Sequence, residues 1–335
     1  MRISCLVAVV AALGVVTAAQ TPRVRHNRVI GLIEQRQPVF GLYAPSNRRP
    51  GGPPGAARPA PTPETPAKSP AELAREAAAY PLSDFVFDGS MERNFARTFP
   101  VFAEFAKGLA AAGILARTPA VHLTHPMIVK APEIAPDPAA AAAQIAQQLN
   151  QGVSGVMLVT VETAEQARQG IAAMRFASKG GTRPDGDLGS APAVWGLSDA
   201  DYRRTADVWP LDPDGELINW TIVESRKGLE NLREIAAVPG IGVLWPGAGT
   251  LRGVFSTTGP DGARVVDEAA WEQAIQQVLA ACKANRIACG FPANASDIET
   301  RMAQGFSVFV MNWGEAGFTT VEAGRRLAGR TASQR

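Results

Sequence analysis

Histidine and cysteine are scarce, three of each in 335 residues, and their spacing forms no zinc-site pattern. An excess of charge of one sign is also lacking. Lys and Arg total 33 against 31 Asp and Glu, and no basic stripe carries interleaved aromatics, so a nucleic-acid partner is not expected. No G-x-G-x-x-G follows the first strand-like segment, which leaves a dinucleotide-binding reading unsupported. Beyond residue 16 no apolar run is long enough to cross a bilayer. With 46% hydrophobic and 19% charged residues, the composition suits a globular protein with a sizeable core.

The first residues read as a secretory signal peptide. Met1-Arg2 is a short positive start, Ile3 to Val16 is apolar, and Thr17-Ala18-Ala19 offers small residues for cleavage after Ala19. The alternative is an uncleaved anchor. Cleavage would remove Cys5 and leave an exported protein with no membrane segment. Cys282 and Cys289 remain, near a helix end and in the following strand. Either a disulfide or two buried free thiols is consistent with that spacing. Residues 45–70 are too rich in Pro and too poor in apolar side chains to pack, and read as a flexible insertion or linker. The short piece before them must belong to the later core. An insertion following the first strand is expected over the mouth of the fold.

From residue 70 onward the chain alternates. Short apolar strands are expected at 37–43, 84–88, 127–131, 155–161, 217–223, 241–245, 287–291 and 307–311. Helical segments are expected at 72–79, 93–112, 138–151, 163–176, 228–238, 268–285, 295–304 and 315–327, whereas 177–215 reads as irregular. Regular alternation argues for a parallel α/β sheet, and eight strands favour a closed (β/α)8 TIM barrel over a doubly wound sheet. Barrel chemistry sits at the carboxyl ends of strands. That directs attention to Asp88, Lys130, Glu133, Thr160, Glu224, the 247–250 turn, Asn294 and Asn312. His122 and His125 have H-x-x-H spacing but precede a strand, at the other end; with His26 they read as structural or solvated.

Several segments resemble the HpcH/HpaI aldolase/citrate lyase family. They are NRVIGLIEQRQPVFGLY (27–43), VMLVTVETAEQARQGIAAMRF (156–176), IVESRKGLENLREIAAVPGIGVLW (222–245) and PGAGTL (246–251), which sits where the family has G-P-A-D-L. The resemblance runs from about residue 27 to 328. It implies a (β/α)8 barrel in a homo-oligomer and a divalent cation (Mg2+, Mn2+ or Co2+) that binds a 2-keto acid such as pyruvate as its enolate. It also implies cleavage or formation of a carbon–carbon bond to an aldehyde. A hard cation on enolate oxygens calls for carboxylate ligands, and the resemblance puts Glu224 at the first ligand position.

The sequence departs from the family at three places. Thr250 stands where the family has its metal-binding Asp, and a neutral hydroxyl is a poor substitute. Gly247 and Gly249 nearby are candidates to bring backbone N–H groups to a substrate, or simply form a tight turn. After the second strand, Asp88 is retained but Ser90 and Met91 stand opposite the family's Glu-His base; Glu92, one residue on, would serve only in a remodelled turn. After the third strand, Lys130 replaces an Arg, keeping the charge but losing the two-pronged fork. Glu133 is a candidate substitute ligand. Arg183, in KGGTRPDG, resembles a degraded P-P-x-G-x-R-G loop of the family, or else a flexible surface loop. Trp245 and Trp313, near strand ends, line a pocket or pack in the core. Two functions follow: a metal-dependent aldolase-type lyase using Glu224, Glu133, Asp88, Glu92 and Lys130, or a catalytically degenerate exported barrel that binds a small molecule.

Overall fold

The computed structural model describes residues 23–47, 68–135, 137–260 and 262–330. The expected signal peptide and nearly all of the Pro-rich insertion lie outside the described residues. Eight parallel strands form the centre: β1 (Val39–Tyr43), β2 (Val86–Asp88), β3 (Met127–Lys130), β4 (Gly155–Leu158), β5 (Leu217–Val223), β6 (Ile241–Pro246), β7 (Ala288–Pro292) and β8 (Val308–Met311). Each pairs with its neighbour in sequence, β1 pairs with β8, and β4 with β5, so the sheet closes. The fold is the (β/α)8 barrel, as expected.

Every strand is buried on both sides, which explains the near-continuous apolar runs. Alternation divides those runs between two cores. Val39, Phe85, Phe87, Ile128, Met157, Ile218, Trp220, Val243, Trp245 and Val310 fill the lumen. Phe40, Leu42, Val129, Leu158, Leu244 and Phe309 face outward against the helices. The lumen accommodates its large rings because neighbouring strands supply glycine. A Cβ on Gly41 would lie 2.3 Å from the Phe85 ring, and one on Gly290 would lie 1.9 Å from the Trp245 ring. Trp220 stacks on Trp245 at 5.5 Å and on Phe87 at 5.9 Å between centroids.

Helix α1 (Arg28–Glu34), capped by the Asn27 side chain, closes the amino-terminal end of the lumen with Val29 and Ile30. Around the barrel run α2 (Pro70–Ala79), α3 (Phe95–Ala111), α4 (Pro138–Leu149) and α5 (Ala164–Met174), the last opened by a Thr163–Gln166 capping box. The 177–215 stretch, expected to be irregular, holds α6 (Ala191–Trp195), α7 (Asp199–Thr205) and a short strand, Val208–Trp209, beside β5. The single helix expected at 228–238 is two short ones, α8 (Arg226–Glu230) and α9 (Leu232–Ala236). The circuit ends with α10 (Ala248–Val254), α11 (Glu268–Asn285), α12 (Ile298–Gln304) and α13 (Glu315–Leu327). Cys289, on the outward face of β7, forms a disulfide with Cys282 of α11. Of the two readings left open for these cysteines, the structure takes the bonded one.

Candidate active site at the barrel mouth

A cavity of about 50 Å3 opens where the strands end. Its walls are Tyr43, Phe87, Met157, Ile222 and Trp245, and Lys130, Glu224 and Thr250 join the Tyr43 hydroxyl as its polar groups. Alternation explains the choice. Lys130 lies two residues beyond the lumen-facing Ile128, and Glu224 two beyond Ile222. Each continues the inward row of its strand past the apolar core. Both are about 5% exposed.

Lys130 is held by an ion pair to Glu92, with 2.7 Å from Nζ to Oε2. Its backbone carbonyl accepts a 2.9 Å hydrogen bond from the buried Gln148 amide. The ammonium is thus fixed from both the chain side and the head side. Glu92 sits in a 3-10 turn, Ser90–Glu92, that follows β2. Asp88 makes that turn: its Oδ1 accepts the Ser90 N–H at 2.7 Å.

Glu224 Oε1 accepts the Thr160 backbone N–H at 3.0 Å, and the Thr160 hydroxyl lies 3.5 Å away. The same hydroxyl is 3.1 Å from Glu133 Oε1. Two carboxylates therefore meet one hydroxyl, which has a single proton to give. Thr160 reaches this position with φ +49, a left-handed conformation that costs a β-branched residue energy. Gly247 makes room for Glu224, since a Cβ there would lie 2.2 Å from Glu224 Cβ and 2.8 Å from Oε2. Its own N–H is spent on the Val223 carbonyl at 2.9 Å. Of the two readings left open for Gly247, a donor or a tight turn, the donor is already engaged; what the residue supplies is space. Gly249 and Thr250, in the first turn of α10, are exposed at the rim.

The structure redistributes the other expected residues. Asp88 has the parity of the outward Val86, because Phe85 and Phe87 take the lumen, and it does not line the cavity. It is a buried turn-former whose carboxyl is pushed above the usual range by burial. Glu92 meets the cavity only through Lys130, and Glu133 only through Thr160. Asn294 and Asn312 do not line the cavity; Asn294 binds Asp297 and Ser296 in its own loop. Arg183 is not on a flexible surface loop. It is 1% exposed, 4.4 Å over the Phe176 ring, and bonded to Asn150 and the Tyr202 hydroxyl. Trp313 packs against Tyr80 and Phe318, away from the mouth. His26 stacks on Trp195, and buried His125 binds the Tyr80 carbonyl; burial lowers the pKa of both. Thr160 stood among the strand ends, but its role as the link between two carboxylates was not legible in the sequence.

These positions can be set beside known proteins. The profile of the family described as HpcH/HpaI aldolase/citrate lyase matches residues 109–322. A hydroxypyruvate/pyruvate aldolase of Delftia acidovorans is 33% identical over 159 residues, covering 48% of this chain and 54% of that protein. One of Chromohalobacter salexigens is 37% identical over 105 residues, covering 31% of this chain and 38% of that protein. The match thus spans about half, or less, of these relatives' length. Among solved structures, an HpcH/HpaI aldolase/citrate lyase family protein from Burkholderia cenocepacia superimposes with a TM-score of 0.61 at 20% identity, covering 89% of this chain and 97% of that one. An HpcH/HpaI aldolase from Desulfitobacterium hafniense gives 0.57 at 16% identity, covering 90% and 95%. Those two establish the shared fold, and the profile match, over well more than half of the sequence, establishes kinship: this chain belongs to the HpcH/HpaI aldolase/citrate lyase family.

Proposed function

We propose that the protein is a carbon–carbon lyase of the aldolase type, acting on a small 2-keto acid such as pyruvate with a divalent cation at the barrel mouth. The observation that carries this reading is the charge at that mouth. Glu92, Glu133 and Glu224 contribute three negative charges, and Lys130, paired to Glu92, contributes one positive. No ion pair reaches Glu133 or Glu224 among the described residues. Two negative charges are left over, one of them on a carboxylate almost out of contact with water. A divalent cation balances that deficit, and oxygen donors suit a hard one. Such ions keep several waters and need only one or two protein carboxylates, so the lack of a group of three acidic, His or Cys ligands among the described residues does not conflict with this.

Glu224 and Glu133 would hold the cation, with the Thr160 N–H and hydroxyl fixing their orientation. When bound, it supplies Lewis-acid polarisation of the keto-acid oxygens. Lys130 attracts the substrate carboxylate as a point charge, and Glu92 steadies Lys130 through their hydrogen bond. Tyr43, Phe87 and Trp245 exclude water from the inner wall, which strengthens each of these interactions. A cavity of about 50 Å3 favours a three-carbon acid over a long one. The gap in the earlier expectation is a proton acceptor on the β2 side. Met91 is buried and accepts no proton, and Asp88 faces outward.

Oxaloacetate decarboxylation by purified protein tests the proposal, because it needs cation and keto-acid binding but no aldehyde. Activity that depends on Mg2+, Mn2+ or Co2+ and falls at least 100-fold in Glu224→Gln is expected. Metal-independent activity, or an unaffected Glu224→Gln, sinks the assignment. The second reading, a degenerate exported binding barrel, draws support from Thr250 at the rim and from the missing acceptor. Export itself is proposed from the apolar run Ile3–Val16 and accords with the Cys282–Cys289 disulfide. Homo-oligomer formation is likewise a proposal, checked by sedimentation.

A further inference from the structure

A second, larger cavity is at the opposite end of the barrel from the mouth. It has a volume of about 920 Å3 and is bordered by α1, the end of α2, the segment 116–125 and residues 328–330. Its lining includes four arginines, Arg23, Arg25, Arg28 and Arg330, with His122 and His125, and no aspartate or glutamate among the described residues. Three of the arginines are paired with acids that do not line the chamber. Arg25 pairs with Glu34 and Glu216, and Arg23 with Asp214. Arg330 grips Asp84 with two hydrogen bonds, 2.8 Å from Nη1 to Oδ2 and 2.5 Å from Nη2 to Oδ1.

Arg28 is the exception. Its one ionic neighbour is Asp84 at 3.4 Å, and that carboxylate is already taken by Arg330, by Arg325 at 3.2 Å and by the Phe40 N–H at 3.0 Å. None of the five N–H donors of Arg28 makes a hydrogen bond to a described residue, although its side chain is only 17% exposed. Its guanidinium nitrogens are not sealed in the core but keep contact with the chamber, where they are open to a ligand. Planar guanidinium forks favour oxyanions over halide, because two N–H groups meet two oxygens.

We propose that this chamber is a binding site for a small oxyanion carrying two or more negative charges, a phosphate-bearing or polycarboxylate compound, with Arg28 as its central contact and Arg330 and Arg25 beside it. The site is separated from the mouth by the whole filled lumen, and it does not depend on the lyase reading. Its ligand stabilises the fold by mass action. Because Asp84 joins α13 and residue 330 to β1, the ligand also stiffens the closure of the barrel.

Thermal unfolding of the full mature protein in EDTA tests this. The probes are pyrophosphate and tricarballylate, with sodium chloride holding ionic strength constant. A saturable rise in Tm with one or both is expected, and the probe that produces it identifies the class of anion. Arg28→Gln should raise the half-saturating concentration at least tenfold. Ala79→Glu, an exposed position at the end of α2 on the chamber wall, should do the same without removing any buried contact. Glu224→Gln should respond like the parent, which separates this chamber from the mouth. No saturable rise with either probe overturns the proposal. So does an unchanged response in both Arg28→Gln and Ala79→Glu.

Discussion

Two glycines, two residues apart, give a controlled test of whether Glu224 matters through its position. Gly247→Ala puts a methyl 2.2 Å from Glu224 Cβ, whereas Gly249→Ala meets nothing within 4 Å. Gly247 has φ −72, so alanine is conformationally acceptable and any effect is due to packing. Relief to an ordinary contact requires Glu224 and its strand end to move by about 1 Å, since there is no flexible side-chain tip to yield. Overpacking of that kind costs about 1–3 kcal/mol. At about 2–4 °C per kcal/mol for a large domain, Tm should fall by about 2–12 °C. A displacement of about 1 Å in a positioning group can lower a rate by about 100-fold. Calorimetry with Mn2+ and the decarboxylation assay should therefore show Gly247→Ala approaching Glu224→Gln, with Gly249→Ala within twofold of the parent. Full activity in a destabilised Gly247→Ala would show that the Glu224 carboxylate is not where binding or chemistry happens. Unchanged Tm and activity together would refute the geometry itself.

Two further outcomes concern stability. His26 is buried against Trp195 and its pKa is lowered from 6.5 to about 4, mainly by burial. Between those values the unfolded chain takes up a proton that the folded one does not, so stability is lost as pH falls from 6.5 towards 4, by about 3 kcal/mol in all. His26→Phe keeps a stacked ring and removes the proton site, so its Tm–pH curve should be flatter in that window; parallel curves would contradict the burial argument. The Cys282–Cys289 bond closes a loop with a sequence separation of 7, for which chain entropy gives about 2.5 kcal/mol. Dithiothreitol should lower Tm accordingly, and the denatured, unreduced mature protein should show no free thiol; two free thiols would show that the bond does not form in solution.

The barrel was legible because strands buried on both sides give short apolar runs, eight of them, alternating with helical segments; the glycines at 41 and 290 that make room for large rings in the lumen gave no such signal. Lys130 and Glu224 were legible as polar residues at strand ends and by the family positions they occupy; the structure shows that each extends an inward row. The same rule, applied to β2, would have removed Asp88 from the catalytic candidates, since Phe85 and Phe87 take the inward positions. The stretch from 177 to 215 was misread because α6 and α7 have five and seven residues, too short to show helical periodicity among Gly, Pro and Asp. A buried arginine cannot be read from sequence at all. Arg183 is inside only because Phe176 and Tyr202 arrive from separate segments to cover its faces. Thr160 was named among the strand ends, but its link between two carboxylates was hidden because its left-handed backbone departs from the alternation of the strand.

The choice between enzyme and degenerate barrel turns on the cost of Glu224 in the absence of a cation. The side chain is 5% exposed, is hydrogen-bonded to neutral Thr160 only, and has no cation of its own. Glutamine can accept the same Thr160 N–H, so in EDTA Glu224→Gln should match the parent within about 1 kcal/mol. The difference should emerge with metal. An ion that binds only the folded state adds about 2.7 kcal/mol at 100 times its dissociation constant. The parent's Tm should then rise by about 5–10 °C, and that of Glu224→Gln should not move. Equal shifts in both proteins would place the ion elsewhere, and no shift in either would favour the binding barrel. If Glu224→Gln is much less stable even in EDTA, the carboxylate has a structural duty that a neutral amide cannot meet, and the surplus of negative charge at the mouth would then say nothing about a cation.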